Sequence, residues 1–204
     1  MFDLLIFIGT VAAISLSAIM VPGPVFAATV AKGIENKNAG VYIALGHGIV
    51  EIPLMALLYL GLARIIQSGS VTDAVGLIGG IVLIYLGVNI LRKRDEGGSG
   101  SDLKRGSLMA GIATTAANPY FFVWWATVGF TLILKSSKFG MIGLVMFASV
   151  HLLCDLGWEV FVSRSASGAE SVLGDKVRKA TFLISSVIMI GFGVWFILSG
   201  LGIV

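Results

Sequence analysis

A chain of 204 residues that is 57% hydrophobic and only 12% charged falls far below the roughly 25% charge of a soluble domain, which excludes a water-covered globule. Its formal charge of +3 does not point to nucleic acid, because the basic residues sit in loops between apolar runs, where they meet lipid headgroups and set orientation. The single cysteine, Cys154, excludes an intrachain disulfide and a thiolate metal cluster.

Crossing a hydrocarbon core takes roughly 20 apolar residues in a helix. Span one, residues 4–31, has no ionisable side chain but is interrupted by Pro22-Gly23-Pro24. Each proline removes a backbone donor and clashes with the preceding turn, so an unbroken helix is not expected there. The start, Met1-Phe2-Asp3, has no basic n-region, and the apolar run exceeds an ordinary signal-peptide core, so a cleaved leader is not expected despite the loosely cleavage-like Val25-Phe26-Ala27. Span two, residues 39–63, carries His47 and Glu51 inside it, with Pro53 just beyond. Span three, residues 74–91, is free of charge, and the polar, glycine- and serine-rich 92–105 segment after it reads as a linker.

Span four, residues 106–134, is again uncharged and is interrupted by Asn118-Pro119. The aromatic run Phe121-Phe122-Val123-Trp124-Trp125 that follows reads first as an interfacial belt. A cation–π wall for an amino group is the sharper alternative. Span five, residues 139–163, holds His151 and Asp155, with Trp158 and Glu159 one turn further on as weaker candidates for chemistry; the alternative for Glu159 is a place near the membrane edge. Span six, residues 180–204, is uncharged. Unbroken apolar runs without strand alternation select helices over a barrel. The expected fold is therefore an all-α integral membrane protein of six transmembrane helices.

The loops after spans one, three and five hold Lys32, Lys37, Arg92, Lys93, Arg94, Lys104, Arg105, Arg164, Lys176, Arg178 and Lys179, against Arg64, Lys135 and Lys138 on the other side. The positive-inside rule puts the richer side in the cytoplasm and both termini outside a plasma membrane. The sequence also repeats weakly across the linker. Residues 77–88 resemble 183–194, and His47-x-x-x-Glu51 is matched by His151-x-x-x-Asp155. Three spans per half make the two halves enter from opposite sides. The expected organisation is two inverted three-helix repeats, residues 1–91 and 106–204, joined by a cytoplasmic linker at 92–105, with broken helices one and four.

Ionisable side chains at the bilayer centre cost about 2.5–3.5 kcal/mol on insertion scales and generally mark a pathway. Each histidine is one turn from its carboxylate and shares its face. A histidine beside a carboxylate can trade protons near neutral pH, which suits coupling to a proton gradient. The same four groups can instead hold helices together by buried hydrogen bonds, or ligate a divalent cation. Breaks in corresponding spans of both halves point to a binding site. Glycines such as Gly79, Gly80, Gly87, Gly111 and Gly193 read as packing positions.

With Pro22-Gly23-Pro24, Gly33, Gly40, Gly46-His47-Gly48, Asn118-Pro119 and Asp155 in this order, the chain resembles the LysE/RhtB superfamily of amino acid exporters along essentially its whole length. The resemblance implies export of amino acids or close derivatives, driven by the proton motive force, and assembly as a homodimer. It implies functional positions at Pro22, Gly23, Pro24, Asn118, Pro119 and Asp155. The chain departs from the pattern at Tyr120, where the family often has lysine, and in His47, Glu51 and His151, which are not general family features. The expected substrate pathway comprises Pro22, Gly23, Pro24, His47, Glu51, Asn118, Pro119, His151 and Asp155, with an amino acid and the lipid bilayer as partners and no resident cofactor or metal. A divalent-metal exporter using the paired histidine and carboxylate residues is the rival reading. No His-Glu-x-x-His, Cys-x-x-Cys or Gly-x-Ser-x-Gly arrangement supports an intramembrane enzyme.

Overall fold

Within a bilayer no water is present to satisfy backbone N–H and C=O groups, so apolar runs of this length close their hydrogen bonds internally as helices. A computed structural model describes residues 2–61, 69–93 and 103–204, and every long segment in it is helical. Most of the linker and Arg64 lie outside the described residues.

Helix α1 spans Phe2–Ile19 and stops short of the two prolines; α2 restarts at Pro24 and spans Pro24–Glu35. Pro24 occupies the first turn, where a missing N–H is harmless, and the residue before a proline avoids helical geometry. α3 spans Ala39–Tyr59 with Pro53 inside it, and Pro53 lies on the exposed face. Gly61, at φ 91°, follows in the left-handed region that suits a helix C-terminus. α4 spans Gly69–Lys93 and α5 spans Leu103–Ala116. α6 spans Pro119–Ser137, bent by 63° from α5, and contains a π-helical turn at Trp125–Gly129. α7 spans Gly140–Leu173 and α8 spans Asp175–Gly200.

Among the described residues, five of these helices are long and apolar enough to cross a membrane alone, and the count reaches six where the bent pair α5–α6 is taken as one span. The expected all-helical class agrees with this arrangement, and the expected six spans stand at the upper end of the count. One detail differs. The first apolar run is interrupted so near its end that α1 alone keeps 18 residues of membrane length. At 34 residues, α7 measures about 51 Å and outruns a hydrocarbon core of about 30 Å.

The side chains are distributed for lipid. Ile78, Ile81, Ile142, Leu153, Phe161 and Ile184 face outward, while Ser15, Thr29, Glu51, Thr115, His151, Asp155 and Glu159 are buried. Glycine brings the helices into backbone contact. A methyl group on Gly80 of α4 would collide with Gly193 O of α8, and one on Gly193 with Gly80 O. Gly46 of α3 lies against Leu108 O of α5, Gly111 of α5 against Ile43 O of α3, and Gly40 of α3 against Glu159 O of α7. Without a hydrophobic driving force between helices in lipid, this close van der Waals packing supplies much of the association energy. Beside the buried polar groups, Phe7, Val11, Leu54, Leu58, Trp125 and Phe147 form an apolar cluster.

Candidate functional site

The close approach of α3 to α7 brings Glu51 within reach of both histidines. His47 is one turn before Glu51 on α3, and its Nε2 lies 3.1 Å from Glu51 Oε1. His151 reaches across from α7 and places its Nε2 3.1 Å from the same oxygen. Trp125 of α6 donates its indole N–H to that oxygen as well, at 3.1 Å. Asp155 Oδ2 sits 3.5 Å from His151 Nε2. The two His-acid pairs therefore form one cluster centred on Glu51, whose residue is 1% exposed.

Each histidine is also fixed from behind. Ser15 of α1 lies 2.7 Å from His151 Nδ1, and Thr115 at the end of α5 lies 2.8 Å from His47 Nδ1. An ionised carboxylate only accepts, so both Nε2 atoms facing Glu51 carry hydrogen. When the imidazole is neutral its Nδ1 accepts, and Ser15 or Thr115 donates. When the imidazole is charged its Nδ1 donates, and the hydroxyl oxygen accepts. A rotatable hydroxyl thus keeps each ring hydrogen-bonded in either protonation state. Aromatic rings enclose His151: Trp124 stacks on it at 5.5 Å, and Trp125 meets it edge-on at 5.1 Å. Phe121 meets His47 edge-on at 5.3 Å.

Two carboxylate oxygens, Glu51 Oε2 and Asp155 Oδ2, are buried without a hydrogen-bond partner among the described residues. An acceptor so placed is costly to leave unfilled, and either a proton or a cation can meet that demand. One donor atom each from His47, Glu51 and Asp155 lies within 4.8 Å of the others, a spacing that suits inclusion of a divalent cation.

The break residues take a different part. Asn118 caps α6 by accepting from Tyr120 N–H at 3.0 Å. Pro119 begins that helix, Pro24 begins α2, and Pro22 is exposed. Among the described residues no hydrogen bond joins Pro22, Gly23, Pro24 or Asn118 to the cluster. Their effect is to end α1 one turn beyond Ser15 and α5 one residue beyond Thr115.

Trp125 corrects the belt reading of the aromatic run: it is buried, and its N–H is held by Glu51. Gly129 makes room for it, since a methyl group there would collide with the indole ring. Ser15, Thr115 and Trp125 were not foreseen as site residues. The only signal for the hydroxyls was a polar residue inside an uncharged run; for Trp125 it was membership of the aromatic run whose sharper reading was a cation–π wall, not a donor to Glu51. Glu159, a weaker candidate on α7, is buried and hydrogen-bonded to Thr29 of α2.

Membrane-length helices that bury ionisable and hydroxyl side chains while turning apolar ones outward make this a multi-pass membrane protein. Residues 16–200 match the LysE type translocator family, and the chain belongs to it; the proteins of that family are membrane transporters. A Bacillus subtilis (strain 168) protein named "Putative amino acid efflux protein YcgF" is 26% identical over 181 residues, covering 85% of this chain and 87% of its own. No solved structure matches the chain.

Proposed function

We propose that this translocator exports amino acids or close derivatives and is driven by the proton motive force, with the Glu51 cluster as its coupling site. Family membership and the amino acid efflux named for the Bacillus relative support the cargo and the direction. The observation that carries the coupling is the convergence of His47, His151 and Trp125 on one buried carboxylate oxygen, with Asp155 beside it. Groups that exchange protons near neutral pH, removed from bulk water and hydrogen-bonded in both states, suit proton transfer linked to a transport cycle.

The reading includes two inverted repeats, 1–91 and 106–204, meeting at the cluster. It is supported by paired features: His47 and Glu51 on α3 against His151 and Asp155 on α7, and helix ends at Ile19 and Ala116 before proline-started helices. The pathway comprises His47, Glu51, His151 and Asp155, with Pro22, Gly23, Pro24, Asn118 and Pro119 shaping the helix ends around it. The termini face outward and the 92–105 segment faces the cytoplasm.

The test is a panel of radiolabelled amino acids in proteoliposomes under an imposed pH gradient. At least one should accumulate against its concentration gradient, and accumulation should vanish with a protonophore. Transport of none, or transport indifferent to the protonophore, would remove the reading.

A second reading is carried by the clustering of His47, Glu51 and Asp155: a divalent metal as the cargo. Calorimetric titration of purified protein with zinc, manganese and cadmium separates the two. The metal reading requires binding that His47→Ala, Glu51→Gln and Asp155→Asn each weaken.

A further inference from the structure

The inner half of α7 carries a polar side chain at every fourth position: His151, Asp155, Glu159 and Ser163, all buried. Residues at this spacing lie one above another on a single helix face. His151 and Asp155 belong to the Glu51 cluster. Glu159 and Ser163 carry the polar face just over two turns further, about 12 Å along the axis. It ends against an exposed turn: Ser163 Oγ shares its one hydrogen between Lys37 O, at 3.1 Å between α2 and α3, and Val160 O of its own helix, at 3.2 Å.

Glu159 is hydrogen-bonded in an instructive way. Its Oε2 meets Thr29 Oγ1, and the same hydroxyl lies 2.9 Å from Val25 O, the carbonyl one turn earlier in α2. A hydroxyl carries one hydrogen. With Glu159 ionised, Thr29 donates that hydrogen to the carboxylate. With Glu159 protonated, the carboxyl donates to the Thr29 oxygen, and Thr29 turns its own hydrogen to Val25 O. The buried carboxyl keeps a partner in both states, so it can gain and lose a proton without being left unsatisfied in the membrane.

The charged groups on the packed elements are few. On α2, Lys32 is held by Glu35 at 2.8 Å. On α3, His47 is within electrostatic range of Glu159, and at the closest backbone approach α3 presents Gly40. On α7 itself, Asp155 lies one turn away, its Oδ2 buried without a hydrogen-bond partner among the described residues.

We propose that Glu159, with Thr29 as its partner in both protonation states, is a second proton-binding site that connects the Glu51 cluster to water at the Lys37 turn. Hydronium at the Lys37 turn loses a proton, leaving water, as an O–H bond forms on the Glu159 carboxylate. That bond breaks as one forms on Asp155, and Glu159 returns to carboxylate. The relay rests on the proton-coupled reading above and adds its route.

The test pairs infrared spectroscopy of reconstituted full-length protein with uptake of a mixture of radiolabelled amino acids driven by a pH gradient. Glu159→Gln should remove a component of the protonated-carboxyl stretch, and Thr29→Val should shift it. Uptake should fall at least about tenfold in Glu159→Gln, a modest part of the ~10²–10⁴-fold that a positioned proton-transfer group supplies, with partial recovery in Glu159→Asp. An unchanged carboxyl stretch in Glu159→Gln overturns the proposal even if uptake falls, since Glu159 is then structural. Normal uptake with the stretch lost overturns it too, since the proton on Glu159 is then off the route. Absence of gradient-driven uptake in the unmodified protein overturns the transport reading instead, and the infrared result then decides alone whether Glu159 binds a proton.

Discussion

His151 lies closer to Glu51 on α3 than to Asp155 on its own helix: Nε2 is 3.1 Å from Glu51 Oε1 and 3.5 Å from Asp155 Oδ2. The histidine of α7 therefore serves the carboxylate of α3, and the two helices share one ionisable cluster.

Glu51 is the shared partner of three ring nitrogens, so removing it should leave Trp125 and His47 without their partner and His151 with Asp155 alone. Glu51→Leu is expected to destabilise the fold by about 3–5 kcal/mol, the usual consequence of breaking a buried polar pair. Glu51→Gln keeps an acceptor oxygen and should lose less, about 1–3 kcal/mol. Thermal unfolding in detergent gives the order; a leucine variant as stable as the glutamine variant would contradict it.

Trp125 and Gly129 should behave as one unit. Trp125→Phe deletes the donor to Glu51, worth about 1.5–3 kcal/mol for a hydrogen bond to a charged group. Gly129→Ala leaves that donor in place but puts a methyl group into the indole ring, so it should reduce transport in the same direction. Combining the two should add little beyond the larger single effect, because both act through one contact. Additive losses in transport assays would separate them.

Close helix packing makes some glycines sensitive and others indifferent. Gly40→Ala and Gly46→Ala set a methyl group against the backbone of α7 and α5, which cannot turn aside, and should lose about 1–3 kcal/mol. Gly157, in α7, has nothing within 4 Å of an added methyl group; Gly157→Ala should be neutral or gain up to about 1 kcal/mol from helix propensity. Melting temperatures of the three variants check the contrast.

Orientation is tested in intact cells after Cys154→Ala. Ile203→Cys, in the exposed C-terminal residues, should react with an impermeant thiol reagent from outside, and Lys37→Cys only after permeabilisation. The reverse pattern would invert the topology and, with it, the side on which the Glu159 route opens.

The number and kind of helices were legible because a bilayer leaves a chain few options: long uncharged runs have one stable conformation there. His47, Glu51, His151 and Asp155 were legible because ionisable residues inside such runs are rare. What sequence could not supply was their mutual contact. Spacing on one helix pairs His151 with Asp155, whereas the meeting of α3 and α7 gives it to Glu51. Trp125 was hidden because a tryptophan at the end of a broken span fits a lipid interface as well as a buried donor. Ser15, Thr29 and Thr115 were hidden because hydroxyls in helices commonly bond to the carbonyl of the preceding turn.

The central claim is that the cluster carries the coupling proton. The Glu51→Gln, Asp155→Asn double variant tests it most directly, in proteoliposomes loaded with the best-transported amino acid of the panel. Both changes keep side-chain volume and hydrogen bonding while removing the titratable oxygens. Accumulation driven by an imposed pH gradient should collapse, while exchange between equal concentrations of labelled and unlabelled substrate persists, because exchange needs no net proton movement. Near-normal gradient-driven accumulation in the double variant would contradict the account.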